Sequence, residues 1–196
     1  TSYKFHNNCP SPTIKFAFNA ARIAKEINPH CFTLLVGPLN VILSDELLKN
    51  SSVDALAIGE AEEICVEVAR AIENTSDLKS VNGLSLKSNG SYLRTDKARL
   101  PLLENLSMPD LESIDFSKYI YDTYFAYRTA EFMTSRGCPF NCTYCFSAAD
   151  SKRNSYNTGQ RYRSYPVDRV IAEIDMLYHK WGVRGVRFSD IEFCLS

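Results

Sequence analysis

Cys138, Cys142 and Cys145 lie in the run Thr134-Ser-Arg-Gly-Cys-Pro-Phe-Asn-Cys-Thr-Tyr-Cys145, a C-x3-C-x2-C spacing. Three thiolates this close can hold three corners of a cubane iron–sulfur cluster, whose usual ligand set is four cysteines. No fourth cysteine follows nearby, so the fourth iron would be left open, and an open metal position is where chemistry happens. A structural zinc site is the competing reading. Zinc wants four ligands in a closed tetrahedron, whereas this loop offers three and His179 lies far along the chain. The open corner favours the cluster.

The elements that must carry this loop are bounded by composition. The chain has 196 residues, 45% hydrophobic and 23% charged, with a formal net charge of −1. That is the profile of a globular protein of one ordinary domain or two small ones. Near-neutral charge gives no global attraction to nucleic acid or to an anionic membrane. No apolar run is long enough to span a bilayer, and Thr1-Ser-Tyr-Lys-Phe-His6 does not read as a signal peptide. Seven cysteines could suggest a secreted disulfide scaffold. Chain size, the α/β pattern and the bunching of three cysteines point instead to a metal site in a reducing cytoplasm. Of the others, Cys9, Cys31 and Cys194 are scattered, and Cys65 reads as a small buried hydrophobe.

Phe16, Ala20, Ile23, Ala24 and Ile27 recur at helical spacing and predict an amphipathic helix from about Pro12 to Ile27, stopped by Asn28-Pro29. Phe32–Val36 and Asp54–Ile58 read as apolar strands ending at Gly37-Pro38 and Gly59. Ser44 suits the N-cap of a short helix between them. Ile64, Cys65, Val68 and Ile72 predict the buried face of the next helix. Apolar strands alternating with helices imply a parallel sheet covered on both faces. Gly37 and Gly59 then fall at its carboxyl edge, either as ordinary turn residues or on the ligand-binding side of an open α/β sheet. Gly83–Leu86, Asn89-Gly90 and Ser91–Arg94 read as a β-hairpin, and the Pro-containing stretch to about Tyr119 as a linker.

A second unit starts near Ala130. Glu131–Thr134 is a strand leading into the cysteine loop. Val167, Val170, Ile171, Ile174, Leu177, Tyr178 and Trp181 predict a helix, with Pro166 and Asp168 suiting its start and Gly182 its stop. Gly185–Phe188 is the next strand. This is a βαβ unit with the cysteines in its first strand-to-helix loop, on the functional edge of barrels and open sheets alike. The expected division is 1–80, 81–129 (hairpin and linker) and 130–196. The abrupt start and end are expected of a fragment cut at both ends.

The run Ser135–Cys145 resembles the cluster motif of radical S-adenosylmethionine (radical SAM) enzymes. Arg161-Tyr-Arg-Ser164, the helix Val167–Trp181 and Val186–Phe193 resemble the continuation of that domain. Ile27-Asn-Pro29, Val36-Gly-Pro38 and Ile58-Gly-Glu-Ala-Glu-Glu63 resemble, in order and spacing, the later part of a cobalamin-binding domain. Together they are similar to the subfamily that carries a cobalamin-binding domain before a radical SAM domain. The implied fold is α/β: a partial flavodoxin/Rossmann-like cobalamin-binding domain, then the first βαβ portion of a partial (β/α) barrel.

The resemblance implies that Cys138, Cys142 and Cys145 ligate a [4Fe–4S] cluster whose fourth iron S-adenosylmethionine chelates. Reductive cleavage to a 5′-deoxyadenosyl radical would follow, with a flavodoxin or ferredoxin as reductant. It implies that Tyr144 lies near the adenine, that Phe140 helps shape and shield the loop, and that Asp190 and Glu192 sit near the methionine amine. For those carboxylates the alternative is a solvated strand end. Ser2, Gly37 and Gly59 are the implied lining of the cobalamin tail cleft, and Glu60, Glu62 and Glu63 suit the first turn of a helix. None of His6, His30 and His179 has the Asp-x-His-x-x-Gly context of a cobalt-ligating histidine. The implied reaction is methyl transfer to an unactivated carbon or to phosphorus, with ring formation or rearrangement, or a non-catalytic zinc or iron–sulfur binding protein, as the alternatives. The catalytic residues and the substrate are not implied.

Overall fold

The computed structural model describes residues 10–37, 40–88, 91–140, 142–145 and 162–193. The chain divides into two compact units, one of Asn8–Pro101 with Cys142–Thr158 and one of Leu102–Asn141 with Gly159–Ser196 and Thr1–Asn7.

In the first unit, α1 (Pro10–Ile27), β1 (Leu34–Leu35), α2 (Asn40–Leu48), β2 (Ala55–Ala57), α3 (Glu62–Glu73), β3 (Leu84–Ser88) and β4 (Ser91–Arg94) follow in order. The sheet runs β1-β2-β3-β4. β1 and β2 are parallel, with Leu34 opposite Ala55, while β3 and β4 continue the sheet antiparallel. The hairpin read from the sequence is therefore part of this sheet, and its Asn89-Gly90 turn lies outside the described residues.

Side chains alternate across a strand, and β2 uses both faces. Ala55 and Ala57 join Ile64, Val68 and Ala71 of α3 with Leu84 and Leu86 on one side. Leu56 and Ile58 join Leu47 and Leu48 of α2 on the other, with Ile14 and Phe18 of α1 packed against them. The sheet is thus covered on both faces, as the apolar strands predict.

The stripe of α1 that turns inward differs from the expected one. Ile14 and Phe18 pack on the core, while Phe16, Ile23 and Ile27 are 75%, 41% and 81% exposed. The helix has apolar residues on two sides, and helical period cannot choose between two stripes. On α3, Ile64 and Val68 are buried as expected, but Ala71 takes the third place and Ile72 is exposed. Burial, with a smaller push from Glu62, raises the Cys65 thiol above its ordinary value. Leu43, at φ −113° and ψ 22°, kinks α2 immediately before Ser44. Ser44 therefore starts a second helical piece rather than the helix itself, and its hydroxyl accepts from Arg94.

Asp54 ties three elements. Its Oδ2 accepts from Lys25 at the end of α1 at 2.8 Å and from the Thr33 amide and hydroxyl at 2.7 and 2.9 Å. Burial pushes this carboxyl up, but the hydrogen bonds from Lys25 and Thr33 outweigh it and hold the group below its usual 3.8. A depressed folded value adds stability above the unfolded value that is lost as pH falls through the folded one. The urea midpoint of this unit is therefore expected to drop below about pH 4. In Asp54→Asn it should be lower at neutral pH and respond less to acid, and an unchanged acid response would refute the assignment.

Gly83, at φ +80°, precedes β3, and a Cβ there would stand 2.7 Å from Ala98 Cβ and from Ile64 Cδ1. Gly83→Ala combines a left-handed backbone with overpacking and should cost about 1–3 kcal/mol, read as a shift in the denaturation midpoint.

In the second unit, β5 (Thr129–Phe132), β6 (Ser135–Arg136), β7 (Arg163–Ser164), α4 (Val167–Trp181) and β8 (Gly185–Phe188) follow the stretch read as a linker. That stretch has 3-10 turns at Leu103–Asn105 and Phe116–Tyr119, and Leu111, Phe116 and Ile120 pack on the unit's core. β5 and β8 are parallel with α4 between them in sequence, so the βαβ unit is as expected. Gly182 ends α4 at φ 65°, and Arg128 donates to the carbonyls of Trp181 and Gly182 there, both at 2.7 Å. Val170, Ile174, Leu177 and Trp181 face the core. Val167, Ile171 and Tyr178, expected on that face, are 71%, 60% and 48% exposed.

Candidate functional site

β5 and β8 end together: the Ser189 amide donates to the Phe132 carbonyl at 2.7 Å, just past the ladder. Both strands therefore deliver their following residues to one carboxyl edge, where functional loops of parallel sheets sit. Asp190 is held there. Its Oδ1 accepts from the Thr134 amide at 2.9 Å, the Thr134 hydroxyl at 3.0 Å and the Ser135 hydroxyl at 2.5 Å. Its Oδ2 is buried without a hydrogen-bond partner among the described residues. Asp190 is thus no solvated strand-end carboxylate. Glu192 is half-buried, and its backbone carbonyl lies 3.5 Å from the Ser135 hydroxyl.

Ser135 and Arg136 form β6, paired antiparallel with Ser164 and Arg163 of β7. The chain returning to α4 thus clasps the neck of the cysteine loop. The Arg136 and Arg169 guanidiniums stand 5.9 and 4.7 Å from the centre of the Tyr165 ring, within range of a cation–π contact. Arg169 also donates to the carbonyls of Leu106 and Ser107, which fixes the start of α4 to the preceding stretch. Beside it, burial raises the Glu173 carboxyl above its usual 4.5, partly offset by Arg169.

Gly137, at φ 81°, turns the chain into Cys138. Cys138 and Cys145 are half-buried, Cys142 is exposed, and none is in a disulfide. The Cys145 amide donates to the Cys142 carbonyl at 3.2 Å, a tight turn that presents Tyr144, 91% exposed; Phe140 is 50% exposed. The boundary between the two compact units falls between Cys138 and Cys142. Among the described residues no three His, Cys, Asp or Glu side chains are gathered closely enough to hold a metal ion. The donors fit a thiolate-ligated cluster by type and spacing, as free thiols on one loop; their convergence is not part of this structure.

At the other sheet, Gly37 and Gly59 follow β1 and β2 at φ 150° and 108°, and the space a Gly37 side chain would fill is open. Between them Asn40, 2% exposed, donates through Nδ2 to the carbonyls of Leu35 at 2.7 Å and Ala57 at 3.0 Å. Ser2 lies outside the described residues. A cavity of about 290 Å³ opens at the opposite, amino edge of the sheet, between Phe32, Asp54, Lys79 and Lys87, away from both glycines. Asn40, Thr134 and Ser135 border these places without being singled out by the sequence pattern. The hydroxyl pair directly upstream of Gly137-Cys138 was the available signal for the last two, and Asn40 carried none.

Residues 132–195, from the last residue of β5 through the cysteine loop, α4 and β8, match the model of the radical SAM superfamily. That stretch of the chain is a radical SAM-type segment. It is similar to an uncharacterized methyltransferase of Pyrococcus horikoshii, 35% identical over 92% of this chain and 38% of the relative. It is also similar to the anaerobic magnesium-protoporphyrin IX monomethyl ester cyclase of Rubrivivax gelatinosus, 27% identical over 94% of this chain and 34% of the relative. The chain thus spans little more than a third of the length of these relatives. Among solved structures, the radical SAM methyltransferase TsrM of Kitasatospora setae superposes with a TM-score of 0.65 at 19% identity, over 92% of this chain and 34% of that one. The cobalamin-dependent radical SAM enzyme OxsB gives 0.67 at 16%, over 91% and 24%. These likenesses establish the fold. It is a mixed α/β fold with a partial Rossmann-like domain of the kind that precedes the radical SAM domain, followed by the opening βαβ portion of that domain. Among the described residues no helix is long and apolar enough to cross a membrane.

Proposed function

We propose that this chain is part of a cobalamin-dependent radical SAM enzyme in which Cys138, Cys142 and Cys145 ligate a [4Fe–4S] cluster. The observation that carries this reading is the C-x3-C-x2-C triplet of free thiols directly after β5 of a βαβ unit. When bound, the reduced cluster supplies the electron that cleaves S-adenosylmethionine. The chain's own residues bind and orient. Tyr144 offers an exposed ring to the adenine and Phe140 shields the loop. The buried, unpartnered Oδ2 of Asp190 is the acceptor for the methionine ammonium, with Glu192 beside it. Ser2, Gly37 and Gly59 line the cobalamin side, where the open space over Gly37 admits a bulky ligand. Residues 1–80 and 130–196 are the proposed cobalamin-side and radical SAM segments; of 81–129, the hairpin belongs to the first unit's sheet and the stretch after it packs on the second unit's core. A cytoplasmic setting and a flavodoxin or ferredoxin reductant suit free thiols and a low-potential cluster.

Methyl transfer to an unactivated carbon or to phosphorus is the proposed reaction, in line with the methyltransferase name of the 35% identical relative. Ring formation is the second reading, in line with the cyclase name of the 27% identical one. Anaerobic incubation of the protein from its full reading frame with reductant, cobalamin and S-adenosylmethionine tests both. S-adenosylhomocysteine together with 5′-deoxyadenosine is expected for methyl transfer, and 5′-deoxyadenosine alone for ring formation. Neither product would sink the enzyme reading.

A further inference from the structure

The end of β8 and the neck of the cysteine loop are 55–56 residues apart in sequence, yet they are joined through a single oxygen. Asp190 Oδ1 takes the Thr134 amide, the Thr134 hydroxyl and the Ser135 hydroxyl. Thr134 and Ser135 are the residues that carry the chain out of β5 toward Cys138, and β6 begins at Ser135. Ser135 is 2% exposed, so its hydroxyl has no solvent to fall back on. A donor buried without its acceptor costs free energy, and bonds to a charged acceptor are the strong ones. The second oxygen of the same carboxylate is buried with no partner among the described residues. A carboxyl oxygen buried without a partner calls for a donor.

We propose that Asp190 is a positioning residue that sets the register of the cysteine loop on β8, and that this tie is energetically coupled to occupation of its free oxygen. The inference rests on the cofactor reading above for what fills the second oxygen, and on the hydrogen bonds alone for the tie. An ammonium bound at Oδ2 fixes the rotation of the carboxylate, which keeps Oδ1 on the donors of Thr134 and Ser135. In turn, loss of the grip leaves the ammonium acceptor free to rotate away.

Two variants separate the halves. Asp190→Asn keeps a carbonyl oxygen for the three donors and replaces the second oxygen by an NH2, which cannot accept. Asp190→Ala removes both. Hydrogen exchange at the amides of residues 134–136 in the metal-free protein reads the tie directly. Iron and sulfide content after anaerobic reconstitution reads the loop. The change that S-adenosylmethionine induces in the electron paramagnetic resonance of the reduced cluster reads the second oxygen.

Asp190→Asn, which keeps a neutral acceptor, is expected to exchange faster than the parent but slower than Asp190→Ala, to load iron close to the parent level, and to need at least about tenfold more S-adenosylmethionine for the spectral change. Asp190→Ala is expected to exchange about tenfold faster at residues 134–136 and to load less iron. Parent-like exchange and iron content in Asp190→Ala would overturn the tie, and a parent-like spectral titration in Asp190→Asn would overturn the coupling. If Asp190→Ala does not fold, Ser135→Ala, which deletes one donor and leaves the carboxylate, must still speed exchange at residues 134–136, and no change there refutes the tie. A parent protein that binds stoichiometric zinc without sulfide would sink the cluster reading, while the exchange measurement would still decide the tie.

Discussion

Cys142→Ala is expected to leave the protein folded but unable to hold a stable cluster: sulfide should fall to background and the visible absorption of the reconstituted protein should vanish. Cys142 is exposed and its side chain supports no core, so the loss would be chemical rather than conformational. Removing one of three thiolates leaves two irons of the exposed edge without protein ligands, short of any cluster set. Formation of 5′-deoxyadenosine should disappear with it. Cys31→Ala and Cys65→Ala are the controls. Cys65 lies on α3, where burial raises its thiol and keeps it a poor ligand at neutral pH. Iron content that survives Cys142→Ala but not Cys65→Ala would show that the wrong cysteines had been chosen.

Phe132→Ala should be the most damaging substitution to the second unit. Phe132 is 5% exposed and packs with Ala130, Leu177 and Val183, its ring edge-to-face with Phe188 at 6.2 Å. Emptying such a site costs about 3–5 kcal/mol, lost burial plus the cavity left behind. That is a large part of the stability of a small domain. Because the Phe132 carbonyl also receives the Ser189 amide, strand slippage would displace Asp190 and Thr134 together. A urea midpoint lowered to match is expected for alanine, and a much smaller change for Phe132→Leu. Ile171→Ala, at a 60% exposed position of α4, should stay within about 0.5 kcal/mol of the parent.

The elements that sequence carried well are those specified locally. α4 runs Val167–Trp181 as its period, Pro166 and Gly182 predict, because cap, period and stop all lie within one segment. Sequence pattern puts the strand before the cysteines at Glu131–Thr134, whereas it stands at Thr129–Phe132, a two-residue slip of the kind strand ends allow when no turn residue marks them. The exposed stripe of α1 went astray because Phe16, Ile23 and Ile27 compete with Ile14 and Phe18, and only the sheet decides between them. β6 and β7 have two residues each and pair across 26 intervening positions, too short for a periodic signal. Of the site, the cysteines were legible because their spacing is the signal. The partners of Asp190 were not, because three donors met 55–56 residues away leave no local trace.

Asn40 carries a consequence of a different kind. By joining the Leu35 and Ala57 carbonyls, it ties β1 to β2 with a side chain at the point where the parallel ladder stops. Both bonds come from one NH2 group, so that amide is the whole of the clamp. An aspartate at this position would set a carboxylate oxygen against two carbonyl oxygens, with nothing to donate. The two glycine turns that follow β1 and β2 therefore share an edge held by a single donor group that no carboxylate can replace.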